Sequence, residues 1–162
     1  GMVFPAFEER AEVIRAMRTE RPDYAVLLLG VPAEFALNEE IARRACVANV
    51  HNVADDLPVP ILLALLERAK SRVSVDTGPA DAAAALGCWT IALFGESDPA
   101  LYRPGGVTTP AVVLTGEIDG RRSILGIDPA AVIRAWRAAA TVAGAAAASP
   151  APAGQPTPDS VR

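Results

Sequence analysis

Apolar residues recur at helical spacing near the start of the chain, where Phe7, Ala11, Ile14 and Met17 fall four, three and three apart and Glu8, Glu12, Arg15 and Arg18 fill the other face. This stripe predicts an amphipathic helix from about Pro5 to Arg21, stopped by Pro22 and Asp23. The pattern then changes. Tyr24-Ala25-Val26-Leu27-Leu28-Leu29 is an almost unbroken apolar run ending at Gly30, which suits a strand covered on both faces. Helical spacing returns from about Ala33 to Ala48, a short strand is expected around Asn49 to Val53, and a helix near Val59 to Lys70 presents Ile61, Leu62, Leu65, Leu66 and Ala69 as its buried stripe. Strands follow at Arg72 to Asp76, Trp89 to Phe94 and Ala111 to Thr115, with helices at Pro79 to Leu86 and Asp128 to about Ala140. Asp128 suits the N-cap of the last helix and Pro129 its first turn.

Strands alternating with helices in this way imply an α/β fold with a doubly wound parallel sheet of about five strands and helices on both faces. Ligands of such sheets bind beyond the carboxyl ends of the strands, where strand order reverses. The loops after Leu29, Asp76 and Phe94 are therefore the places to look. From Ala143 onward the chain is Ala, Pro, Gly, Ser and Thr with little to bury, so residues 1–142 are expected to form one domain and 143–162 a disordered tail.

Composition narrows the function. The 162 residues carry 15 Lys and Arg against 19 Asp and Glu, a net charge of −4, and only 5% are aromatic, so neither the charge nor the stacking platforms of a nucleic-acid binder are present. Cys46 and Cys88 lack metal-ligand spacing, which argues against a metal site and for reduced thiols in a cytoplasmic protein. The N-terminus turns charged at Glu8-Glu9-Arg10 before any signal core, and no stretch is apolar enough to be expected to span a membrane. Gly1 ahead of Met2 reads as the remnant of a tag, with Met2 the expected natural start. His51, the single histidine, has no visible partner for acid–base work. Trp89 and Trp136 are expected in the core. Gly30-Val31-Pro32 has too few glycines for a dinucleotide fingerprint, and no Gly-Lys-Ser/Thr phosphate loop occurs. Gly116 to Arg122 reads as an exposed polar hairpin or loop.

Val73-Ser74-Val75-Asp76-Thr77-Gly78-Pro79-Ala80-Asp81 carries the strongest chemical signal: a strand, a tight turn and a helix start. Gly78 permits close backbone approach, Thr77 offers a hydroxyl, and free amides at the positive end of a helix dipole suit an anion. An ordinary helix cap, with Asp81 reaching back to a free N–H, explains the same residues.

The pattern Asp76-Thr77-Gly78-Pro79, then Ala82-Ala83-Ala84-Ala85-Leu86-Gly87, then Phe94-Gly95-Glu96-Ser97-Asp98-Pro99 with Pro104, resembles glycosyltransferase family 9, the ADP-heptose:lipopolysaccharide heptosyltransferases. The donor-binding half of that family has Asp-Ser/Thr-Gly-Pro-x-His, an Ala-rich helix and Phe-Gly-x-Thr-x-Pro. A weaker similarity covers Val26 to Glu34, and the whole spans roughly Pro5 to Ala140. The resemblance implies the Rossmann-like C-terminal half of a GT-B enzyme, cytoplasmic and engaged in lipopolysaccharide biosynthesis. Asp76, Thr77, Gly78, Asp81, Ser97 and Asp98 would line a nucleotide-sugar site, with an ADP-sugar as donor and no cofactor or metal. In the family an acceptor hydroxyl attacks the anomeric carbon with inversion, and the general base comes from the other half. Transfer by this chain alone is therefore not expected, and no catalytic residue is assigned to it.

Three departures qualify the resemblance. Asp81 stands where the family has histidine, placing a negative charge beside the diphosphate position. Met2-Val3-Phe4-Pro5 lacks the basic residue the family often carries before the first helix, a role that Arg103 could take. The strand that opens the family's donor half is also missing, which predicts that the Tyr24 and Arg72 strands pair directly in the order 2-1-3-4-5. The alternative function is a degenerate, non-catalytic module that keeps the fold and binds a protein partner or a second copy of itself.

Overall fold

The structure is a computed structural model, and it describes residues 6–75, 78–102 and 111–147. Helix α1 (Ala6–Glu20) leads into strand β1 (Val26–Leu28), a 3-10 turn (Pro32–Glu34), α2 (Phe35–Ala45) and β2 (Val50–Asn52). Then come α3 (Val59–Arg68), β3 (Ser71–Val75), α4 (Gly78–Ala85), β4 (Trp89–Phe94) and the single turn α5 (Pro99–Tyr102). Strand β5 (Val112–Thr115), a hairpin of β6 (Glu117–Ile118) and β7 (Arg121–Arg122), a second 3-10 turn (Ile124–Gly126) and α6 (Pro129–Ala147) complete the order.

The alternation of parallel strands and helices agrees with the sequence pattern, but among the described residues the five parallel strands do not join into one sheet. β1 pairs only with β2, and β4 is flanked by β3 and β5, all in parallel; among the described residues no ladder joins β1 to β3. The order is 2-1 and 3-4-5 in two sheets, and the predicted contact between the Tyr24 and Arg72 strands is absent. The register shows why apolar content misled. Val26 donates its N–H to Asn49 and Leu28 accepts from Val53, so β1 makes its ladder with β2, and among the described residues no strand pairs with its other edge.

Two clusters fix the layers. Ala11 and Ile14 of α1 and Ile41 and Ala45 of α2 pack on Val26, Leu28 and Val50. On the opposite face Leu66 of α3, Ala83 of α4 and Cys88 close around Leu29. The predicted α3 stripe is narrower than expected: Leu66 is buried and Leu62 and Ala69 are partly buried, but Ile61 is 51% exposed. α1 also packs against α6, where the Arg137 guanidinium donates to both carboxylate oxygens of Glu20, at 2.9, 3.0 and 2.5 Å. The buried Trp136, Val132 and Ile133 turn α6 toward the β3–β5 sheet. Asp128 caps α6 by accepting from the Ala130 N–H at 2.9 Å. The helix then runs to Ala147, seven residues past its expected end at Ala140, because alanine has the highest helix propensity and Gly144 alone does not stop it.

Candidate functional site

Two strand ends meet where the sequence directs attention. β3 and β4 run side by side in register, Val75 opposite Leu93, so the start of α4 at Gly78 and the turn after Phe94 emerge at the same carboxyl edge. β5 ends beside them, with Thr115 opposite Phe94. The first turn of α4 leaves its amides without intrahelical partners and, with the helix dipole, favours negative charge there, although Pro79 has no N–H to offer. Asp76 and Thr77 lie outside the described residues, as do Arg103 and Pro104. Asp81 is in the first turn of α4 and exposed.

The turn after β4 is built by packing. A side chain at Gly95 would meet Ile124 of the second 3-10 turn at 3.0 Å, so glycine lets that turn close against the strand end. The next residues then turn outward: Ser97 is half-buried, and Asp98 accepts a hydrogen bond from the Ala100 N–H at 3.0 Å, which starts α5. Arg122, on the hairpin that follows β5, places its guanidinium 3.8 Å from the Asp98 carboxylate. Arg122 belongs to the stretch that reads in sequence as an exposed polar hairpin or loop. Its signal was positional, since a hairpin leaving the end of β5 must emerge at the same edge as the turns after β3 and β4.

The remaining candidates are settled by their surroundings. His51 is exposed, and its Nε2 pairs with Asn49 Oδ1 at 2.8 Å. Cys46 and Cys88 are free thiols, and among the described residues no group of His, Cys, Asp and Glu is arranged to hold a metal. Burial pushes the Cys88 thiol above its ordinary range, against the opposing pull of Arg72. Arg72 is itself partly buried in β3 and donates to Ser74 Oγ at 3.0 Å. Trp136 is in the core as expected, whereas Trp89 is only half-buried and its indole N–H is buried without a partner among the described residues. Surface hollows of 290 Å³ between Glu20, Trp136 and Arg137 and of 460 Å³ along Phe35, Glu39 and Arg43 touch neither α4 nor the turn after β4.

The comparison that decides the family matches the sequence pattern of glycosyltransferase family 9 (heptosyltransferase) to residues 6–119. The chain belongs to glycosyltransferase family 9. Among solved structures, the family 9 member resembles Escherichia coli ADP-heptose lps heptosyltransferase II with a TM-score of 0.66 at 23% identity, over 83% of this chain and 41% of that one. It also resembles the glycosyl transferase family 9 protein of Veillonella parvula, with a TM-score of 0.70 at 19% identity, over 88% of this chain and 44% of that one. These likenesses establish the shared fold. The family 9 chain thus spans less than half the length of either solved relative. No curated protein matches it. No helix among the described residues is long and apolar enough to cross a membrane.

Proposed function

We propose that this chain is the donor-binding half of a family 9 glycosyltransferase, holding a nucleotide-sugar at the carboxyl edge of β3 and β4. The observation that carries this reading is the meeting of the two family motifs at one edge: the helix start at Gly78 and the turn of Ser97 and Asp98 leave neighbouring strands in register. In this reading Thr77 and Gly78 meet the donor diphosphate, Asp76 serves the transferred sugar, and the α4 dipole and Arg122 offset the diphosphate charge. An ADP-sugar is the expected donor, and the setting is lipopolysaccharide biosynthesis in the cytoplasm. Transfer needs a hydroxyl nucleophile deprotonated by a general base and an inverting attack as the diphosphate leaves. The base and the acceptor belong to the half of the fold outside this chain's span, so the chain binds donor and does not turn over alone.

Calorimetric titration with ADP-, UDP- and GDP-linked sugars tests the proposal. Saturable binding of at least one, competed by its nucleoside diphosphate, is expected, and no heat at millimolar concentration with any of them overturns it. Asp81 sets a second measurement. A like charge about 4 Å from a phosphate costs roughly 1 kcal/mol even in water, so Asp81→Asn tightens nucleotide binding by up to about fivefold.

One observation favours the alternative of a non-catalytic module. Val31, Phe35, Val59 and Ile61 are large apolar side chains left between 48% and 66% exposed, and exposed apolar groups of this size suit contact with a protein partner or a second copy. Sedimentation of a strict monomer that binds nucleotide would remove that alternative.

A further inference from the structure

α3 breaks the rule that its neighbours keep. α1, α2 and α6 each bury one apolar stripe and turn charged residues to water, such as Glu12 on α1, Arg43 on α2 and Arg134 on α6. Residues 59–66 of α3 carry no charged or polar side chain on any side, a pattern that suits a helix covered all round. Only one side is covered. Leu66 is buried against Leu29, Ala83 and Cys88, whereas Val59 is 66%, Ile61 51% and Leu63 37% exposed, and Pro60 and Ala64 face water with them.

The charges of this segment sit at its two ends. Asp55 and Asp56 precede α3, Arg68 is its last residue and Lys70 follows. All four are exposed, and among the described residues none of them forms an ion pair. Acid before the helix and base at its end also suit the helix dipole, which accounts for the signs but not for the bare apolar face between them. An element with that polarity is complementary to itself when turned end for end. In a two-fold pair of antiparallel α3 helices, Asp55 and Asp56 of each copy lie opposite Arg68 and Lys70 of the other, and the midpoint falls between Leu62 and Leu63. A parallel pair sets like charges together at both ends. We infer that the outer face of α3 is the contact of a symmetric dimer, and that its occupant is a second copy of this chain set antiparallel. Leu63 packs near the two-fold axis and the small Ala64 lets the helices approach. α3 lies along a sheet face, so the inference stands apart from nucleotide binding at the carboxyl edge. One helix pair covers less than the about 800 Å² per partner of a standard interface, so association is weak and shows at high concentration.

Sedimentation equilibrium from about 10 to about 500 µM chain tests the inference. The weight-average mass is expected to climb from that of the monomer toward twice that value, with added salt opposing the rise. Leu63→Glu changes an exposed position and holds the mass at the monomer value with the circular dichroism unchanged. Two charge variants fix the arrangement. Asp55→Lys with Asp56→Lys makes both ends of α3 basic, and Arg68→Glu with Lys70→Glu makes both acidic. Each variant alone dimerises at least about tenfold more weakly than the parent chain, and an equimolar mixture forms a one-to-one heterodimer, because a basic end then meets an acidic one at both ends. If Leu63→Glu loses its helical signal, the mixture still decides. A monomer at every concentration overturns the inference and leaves this face to a different protein. It is equally overturned by a dimer that a folded Leu63→Glu chain retains, or by a mixture that associates no better than its parts.

Discussion

β4 and β1 begin as equals in sequence, each a run of apolar residues ending at a glycine, and they end in different environments. β4 has a strand on either side and helices on both faces, and Ile91, Ala92 and Phe94 lose all contact with solvent. Among the described residues β1 has one neighbour, and it leaves Leu27 41% exposed at its centre. Apolarity along a strand reports that both faces are to be covered; it does not report which strand lies next to it. That second decision is made by crossovers and by elements far away in the chain.

The sharpest way to break this comparison is to truncate one residue from each strand. Phe94→Ala opens a cavity in the fully enclosed half and should cost about 3–5 kcal/mol in denaturant unfolding. Leu27→Ala removes a side chain that is already partly in water and should cost less than about 1 kcal/mol. Equal losses would mean that β1 is as enclosed as β4 in solution. An intermediate effect belongs to the edge where β5 turns into the hairpin. A Cβ at Gly116 would sit 2.2 Å from the Gly126 backbone carbon, and one at Gly126 would sit 2.4 Å from the Glu117 carbonyl oxygen. The two segments cross with backbone against backbone, so Gly116→Ala forces them apart at a cost of about 1–3 kcal/mol. It should also shift the Arg122 and Asp98 resonances, because the hairpin carrying Arg122 hangs from that crossing.

The legible parts of the fold are those decided locally. Trp89–Phe94 is the strand the sequence marks, residue for residue, since its alternatives are bounded by Gly87 and Gly95. Asp128 and Pro129 announce the start of α6 through capping chemistry, whereas its end is hidden in an alanine run with no sharp stop signal. The separation of β1 from β3 was not legible for another reason: an apolar run does not say which strand lies beside it. Within the candidate site, the Gly78 and Ser97 segments were legible as motifs, and their adjacency follows from strand register. The approach of Arg122 to Asp98 was not legible, because a charged hairpin looks alike in sequence whether it faces bulk water or another turn.

The smallest effect comes from acid, and it sharpens the contrast between the two halves. Glu40 on α2 accepts from Arg43 at 2.7 and 2.8 Å and from Arg44 at 2.6 Å, and those guanidinium groups bring its carboxyl down to about 2 from an ordinary 4.5. Arg137 similarly lowers Glu20 at the contact between α1 and α6. A carboxylate whose pKa is lowered by folding contributes its full stabilisation above the unfolded value, and loses it as pH falls through the folded one. For Glu40 the window runs from about 4.5 down to about 2. These pairs are solvent-exposed, so the loss is small and diminishes with added salt. The loss falls on α1 and α2, the helices over the β1–β2 sheet, while no lowered carboxyl lies on β3, β4 or β5 among the described residues. Amide exchange recorded from pH 5 to pH 2, corrected for intrinsic rates, should therefore rise first in α2 and β2, with β4 following later. Simultaneous loss of protection in both halves would show that the two sheets unfold as one cooperative unit despite the seam between them.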